Sequence, residues 1–300
     1  MHTLKERIKQ FPWMFEGRQI RLGVGCSPLG QAGQNGEDAK LLRACYAAGF
    51  RYFDTSCDYG ESELVVGEFL AEIDRQTVFI ATKSNFPFQQ PDGFDVFVRN
   101  FYESFTRLQT DYIDLYQIHD TNRYRVCEAE VIPFLMERQK EGMIGGFGMG
   151  TRSHTAHKRA IIDGKMQSNL SFLDYNLLKT TASSIIELSR QYGTAFINAS
   201  VLYFGVLQSE NPLAMDFPQG VLAFAVKMQE LCKRLEIDIC AAALQFSLLN
   251  PDIDMTLNGM KEQQNLEDTM RAMQNPLYPE QWEAIFVLQR SCASIQVEDE

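Results

Sequence analysis

Eight times along this chain a short apolar segment, rich in β-branched residues, is followed by a helical pattern. That alternation limits the fold more than any other feature. The strands centre near residues 20, 52, 80, 115, 146, 171, 197 and 255. "RQIRLGVG" opens the series, "FRYFD" ends at Asp54, "TVFIATK" at Lys83 and "YIDLYQIH" at His119. Helices are expected over 37–49, 94–108, 127–141, 153–163, 181–192, 219–235 and 240–249, and from 261 onward. Apolar strands separated by helices long enough to cross over indicate a parallel sheet covered by helices. Eight such units in 300 residues match a single-domain (β/α)8 TIM barrel. The domain is expected over 1–300. Residues 1–18 form an N-terminal extension, in which Leu4, Ile8 and Phe11 at helical spacing predict a short amphipathic helix, and 291–300 form a solvated acidic tail.

A doubly wound sheet is the competing arrangement, and it should carry a glycine-rich dinucleotide fingerprint after the first strand. There "GVGCSP" places Pro28 where the third glycine belongs. "GGFGMG" (145–150) lies on a strand with no GK[ST] after it. Close backbone packing, or approach of a ligand, accounts for it better than a phosphate loop.

With 45% hydrophobic residues the chain can bury a large core, and its formal net charge of −11 argues against a nucleic-acid partner. Seven cysteines, at 26, 45, 57, 127, 232, 240 and 292, form no CxxC pair. That pattern suits a reducing compartment rather than a disulfide framework or zinc site. No apolar run approaches a membrane span and no signal peptide is visible, so a cytoplasmic protein without a membrane partner is expected. A metal-dependent barrel hydrolase needs clustered ligands at strand ends. Only four histidines are present, two of them (His154 and His157) on one helix, so no metal is expected.

In a barrel the C-terminal strand ends converge on one face. Those ends supply Asp54, Lys83 and His119, with Tyr59 in the loop after the second strand. Taken singly, each is an ordinary packing or ion-pair residue; together they form a constellation. Lys83 is the natural partner for Asp54, because adjacent strands bring the two together. An ammonium held there favours the phenolate form of Tyr59, whose unperturbed pKa is near ~10. A phenol so tuned can give or take a proton, and His119 can orient a substrate oxygen against it.

"FDTSCDYGESELVVG", "FIATKS" and "ESFTRLQTDYIDLYQIHD" resemble the aldo-keto reductases, whose pattern is D-T-A-x-x-Y-G-x-[SN]-E-x-x-[LV]-G followed by S-x-x-R-L-x-x-D-Y-[IV]-D-L-[YM]-x-[IL]-H. The similarity runs from about 20 to 275. It implies a (β/α)8 barrel and a catalytic tetrad of Asp54, Tyr59, Lys83 and His119. It also implies hydride transfer between a nicotinamide and a carbonyl carbon of a sugar or small aldehyde. "INAS" with its Gly-containing loop is most similar to the branch acting on free sugars. The same resemblance gives the positions expected to meet the cofactor: Gly25, Asp54, Gly150, Thr151, Ser171, Asn198, Ser200, Leu202, Gly205, Lys261 and Asn265. NADP, or NAD in its place, is the expected cofactor, with Lys261 in "NGMKEQQN" placed for a 2′-phosphate. Gly150, Thr151, Ser171 and Ala199 stand where the family has other residues around the nicotinamide, and Thr269 where it has an adenine-contacting Asn. A regulatory barrel that binds cofactor with little turnover is the alternative the resemblance allows. Phe86, Tyr124, Tyr203 and Phe204 are expected in loops on the same face, as candidates for a substrate pocket.

Overall fold

The computed structural model describes residues 2–30, 35–120, 122 and 124–292. Its sheet is a closed barrel of eight parallel strands: β3 (Leu22–Gly25), β4 (Tyr52–Asp54), β5 (Phe79–Asn85), β6 (Leu115–His119), β7 (Phe147–Gly150), β8 (Ser168–Phe172), β9 (Ala195–Ala199) and β10 (Met255–Gly259). β10 closes the ring against β3, with Leu257 opposite Gly23. All eight strands expected from the alternation are present. The first is shorter than "RQIRLGVG" suggested, because residues 18–20 belong to a separate hairpin of β1 (Trp13–Phe15) and β2 (Arg18–Ile20). Arg21 marks the break, its guanidinium donating to the carbonyls of Leu248 and Asn250 at 2.8 and 3.0 Å.

The helices are α1 (Leu4–Ile8), α2 (Asn35–Ala47), α3 (Ser62–Leu70), α4 (Gly93–Arg107), α5 (Tyr124–Ala129), α6 (Val131–Lys140), α7 (His154–Asp163), α8 (Ser183–Tyr192), α9 (Gln219–Arg234), α10 (Ile239–Leu249), α11 (Gln263–Gln274) and α12 (Pro279–Arg290). The helix expected over 127–141 is two, broken at Glu130, whose φ of −129° is not helical. The helix expected from 261 onward stops at Gln274, and α12 restarts with Pro279 in its first turn, where a missing N–H costs nothing. The acidic tail "QVEDE" lies outside the described residues.

The expected N-terminal helix is α1, held by a capping box between Thr3 and Glu6. Leu4 and Ile8 enter the barrel interior with Tyr52, Phe79, Leu115, Ala195 and Met255. Lys5 pairs with Asp254 at 3.2 Å and Arg7 with Asp114 at 2.5 Å. These acids immediately precede β10 and β6, so α1 plugs the N-terminal mouth. The opposite mouth is left to carry the site. The glycine-rich "GGFGMG" is packing: a Cβ on Gly145 would sit 2.0 Å from Arg7 Nη1, and one on Gly148 2.0 Å from Ser168 Oγ. A side chain at Gly148 would push β8 off β7, and one at Gly145 would displace the Arg7 guanidinium and crowd the Asp114 carbonyl.

Candidate active site

Asp54, the last residue of β4, and Lys83, in β5, are both buried at the C-terminal end of the barrel. The Lys83 ammonium donates to Asp54 Oδ1 and, at 2.8 Å, to the Thr55 carbonyl. Gln117, one strand further on, donates to Asp54 Oδ2 at 3.4 Å. Burial works against the Lys83 charge, and Asp54 with the nearby Tyr59 oxygen more than restores it, so the lysine is held above its ordinary pKa. Burial likewise raises the Asp54 carboxyl, and Lys83 draws it back only in part. A cation kept charged in a buried site is a local source of field.

That field falls on Tyr59. The Lys83 nitrogen lies 5.1 Å from the centroid of the Tyr59 ring, and the His119 ring stands edge-on to it at 5.6 Å. The sequence led us to expect a phenol pKa below its usual value. The structure corrects this: burial pushes the phenol up, Lys83 pulls it down, and Asp54 and Asp120 push it up again, for a net rise. Without a bound ligand Tyr59 is therefore a neutral acid.

A cavity of about 480 Å³ opens beside these groups. Asp54, Tyr59, Lys83 and His119 line one end, and Lys261 and Asn265 the other. Backbone without side chains forms part of the floor: a Cβ on Gly25 would stand 3.4 Å from the Asn258 carbonyl. The segment Ser200–Gly205 forms a wall, and left-handed residues turn it sharply, with φ of 59° at Ser200, 50° at Phe204 and 85° at Gly205. Such turns present backbone amides to an anion. Bare glycine backbone, a turn-rich wall and a lysine among the lining residues fit a nicotinamide dinucleotide. Among the described residues no three His, Cys, Asp or Glu side chains group to hold a metal. No helix is long and apolar enough to cross a membrane.

The sequence profile of the Aldo/keto reductase family matches residues 21–289. The chain belongs to that family. L-galactose dehydrogenase of Arabidopsis thaliana is 29% identical to it, over 84% of this chain and 83% of the plant protein. D-threo-aldose 1-dehydrogenase of a Pseudomonas species is 26% identical, over 76% of this chain and 81% of the relative. Among solved structures, an aldo-keto reductase from Bacillus halodurans in its holo form superposes with a TM-score of 0.73. It is 21% identical and the match covers 92% of this chain and 95% of that one, a likeness of fold. The protein is an oxidoreductase dependent on a nicotinamide cofactor.

Within this aldo-keto reductase the residues expected at the cofactor fall into two groups. Gly25, Asp54, Ser200, Leu202, Gly205, Lys261 and Asn265 line the cavity. Gly150, Thr151, Ser171 and Asn198 do not. Gly150 backs Lys83, whose Cδ would lie 3.6 Å from a Cβ placed there. Thr151 spends its hydroxyl on the Ser153 amide at 3.1 Å. Ser171 donates to Asp174 at 3.2 Å, and Asn198 donates to the Tyr175 carbonyl and Ser247 Oγ, both at 2.8 Å. Strand alternation explains the last two: Leu170 and Phe172 in β8, and Ile197 and Ala199 in β9, join the interior cluster, so Ser171 and Asn198 face the helices. At the adenosine end, the Asn265 oxygen accepts the amides of Lys261 and Glu262 at 3.0 and 3.2 Å. Only its NH2 remains for a ligand. Thr269, in the adenine position, bonds Asn258 at 2.9 Å instead.

Of the four aromatics expected in loops, Tyr124 opens α5 instead, and only Phe204 lines the cavity. Phe86 packs on Phe97, Tyr203 on Phe217, and Tyr124 donates to Asp163. Phe172 lines the wall in their place. Its signal was the alternation of β8. Asp58 was also missed. It accepts from His119 Nδ1 at 2.8 Å, and its position next to Tyr59 in "FDTSCDYG" was the one available hint.

Proposed function

We propose that this aldo-keto reductase interconverts a carbonyl and a hydroxyl on a sugar or small aldehyde, using NADP or NAD, in the cytoplasm. The observation that carries the proposal is the buried Lys83–Asp54 pair set against Tyr59 and His119 in one cavity. Burying such a pair costs several kcal/mol of desolvation, which a merely structural role would meet more cheaply with apolar side chains. When bound, the nicotinamide supplies or accepts the hydride. In reduction Tyr59 donates its phenolic proton to the carbonyl oxygen; in oxidation it takes the hydroxyl proton. Lys83 favours the phenolate left behind, and Asp54 keeps Lys83 charged. His119 holds the substrate oxygen near the phenol. Gly25 would leave room for the nicotinamide ring, backbone amides of the turn from Ser200 would hold the pyrophosphate, and Lys261 would meet the adenosine ribose. The kinship with L-galactose and D-threo-aldose dehydrogenases supports a sugar over a plain aldehyde, and an enzyme over a regulatory barrel.

The test is Tyr59→Phe. The phenol meets the reacting oxygen and not the dinucleotide, so cofactor affinity, read by fluorescence titration, is expected to stay near that of the native protein. Turnover on a carbonyl and sugar panel is expected to fall by ~10²–10⁴ or more. A variant that turns over like the native protein refutes the assignment of Tyr59.

A further inference from the structure

Asp120 follows His119 at the C-terminal end of β6 and lines the cavity that holds Tyr59. Its backbone is left-handed, with φ of 50°, and its N–H donates to the Gly150 carbonyl at 2.7 Å, so the turn is pinned to β7. Its side chain is exposed, and among the described residues its carboxylate has no hydrogen bond or ion pair. The charge still reaches the proposed acid. Burial raises the Tyr59 pKa, Lys83 opposes that rise, and Asp54 and Asp120 add to it.

The other charges around the phenol are matched. Lys83 is paired with Asp54, and the His119 ring faces the Asp58 carboxylate at 2.8 Å. With or without a proton on that ring, Asp120 adds a negative charge that no cation offsets. Lys261, the remaining cation of the lining, precedes α11 and borders a second cavity with Glu37 and Glu262. Asp is common in left-handed turns, so the turn alone accounts for a short polar residue here. Asn serves such a turn as well and brings no charge. What the carboxylate adds is two oxygens that only accept hydrogen bonds, and a field that opposes any anion entering beside Tyr59. Hydroxyls on neighbouring carbons can donate to both oxygens; a carboxylate on the substrate is repelled.

We propose that Asp120 is a specificity-determining residue: it accepts hydroxyl hydrogens from an uncharged polyhydroxy substrate and turns away carbonyl compounds that carry a carboxylate. This rests on Tyr59 marking the reaction site. The substrate class is then neutral aldoses rather than uronic acids or keto acids.

Asp120→Asn tests it, since the substitution keeps a residue suited to the turn and removes only the charge. Steady-state rates are compared on galactose and galacturonate, each as the D and the L sugar. The native protein is expected to favour the neutral member of a pair by about tenfold or more in kcat/KM. Added salt should narrow that gap, because an exposed charge is screened. In Asp120→Asn the ratio should fall toward one and lose its salt dependence. Any change in the acidity of Tyr59 acts on both members of a pair and cancels in the ratio. A native ratio near one, or a ratio that Asp120→Asn leaves unchanged, overturns the proposal. If no sugar is turned over, the proposed function falls, and binding decides the role of Asp120. Galactitol and galactonate are then titrated calorimetrically into both proteins. Galactitol should bind the native protein the more tightly, with the difference lost in Asp120→Asn; equal affinities, or binding of neither, overturn the assignment.

Discussion

Lys83→Met removes the cation paired with the buried Asp54 while keeping a side chain of similar length. Two consequences arise from the geometry, and they are measured separately. For stability, Asp54 loses a charge-assisted hydrogen bond worth ~1.5–3 kcal/mol. Burial already lifts its carboxyl, so the unpaired group takes up a proton rather than remain a bare buried anion. For a chain of 300 residues the unfolding entropy is about 0.6 kcal/mol per kelvin, so Tm should fall by roughly 2–5 °C. The pH sign is definite. A carboxyl whose folded pKa lies above its unfolded value stabilises the fold only while protonated, so the deficit should widen as pH rises. For activity, Tyr59 loses the charge, 5.1 Å from its ring, that favours its phenolate. In the proposed mechanism oxidation needs that phenolate as base, so its rate should rise only at a much more alkaline pH than in the native enzyme. At neutral pH it should fall by ~10² or more. The assay is the oxidation rate against pH, read as reduced nicotinamide formed, beside a thermal melt at each pH. If the melt shifts and the pH–rate profile does not, Lys83 is structural and the proposed tuning of Tyr59 is wrong.

The cofactor end yields a second prediction. Lys261 has no arginine beside it in "NGMKEQQN", and an ammonium makes only point-charge contacts with a phosphate. It also shares a second cavity with Glu37 and Glu262. NADPH should be preferred over NADH only modestly, and Lys261→Ala should erase that preference while NADH affinity holds. Paired dissociation constants decide it: a native preference beyond about a hundredfold, ~2.7 kcal/mol, places the phosphate elsewhere. A third concerns His157, fully buried between Thr151 and Asn169 at 2.9 and 3.1 Å, whose pKa burial depresses. Its folded pKa lies below its unfolded value, so stability should fall as pH drops below about 6.5, by at most ~1.4 kcal/mol per pH unit. His157→Gln should flatten that slope; an equal slope in both proteins would assign the acid sensitivity to other groups.

The eight strands were legible because each is written in a few consecutive residues, with apolar content marking the strand and a helical period marking the crossover after it. The grouping of Asp54, Tyr59, Lys83 and His119 was legible because barrel closure needs no side-chain detail to bring three strand ends to one rim, and the family was legible in three motifs whose resemblance the match over 21–289 bore out. The facing of Ser171 and Asn198 was also present in the sequence. Leu170 and Phe172 alternate with Ser171, as Ile197 and Ala199 do with Asn198, and reading that period would have turned both toward the helices. The net rise of the Tyr59 pKa was not there to read, since it is a balance between burial and three charges whose distances come from different strands.

Local pattern and long-range placement divide at the same residues. By itself the sequence determined the barrel, the helix at Leu4–Ile8 and the chemical types available at the strand ends, because propensity and periodicity act over a few residues. Only the tertiary structure decided that this helix plugs the lower mouth, that Arg21 separates a hairpin from the first barrel strand, and that Asp58 meets a histidine 61 residues further along the chain. Those outcomes depend on which atoms lie within about 3 Å once the sheet has closed, a distance at which hydrogen bonds form and about which sequence spacing says nothing.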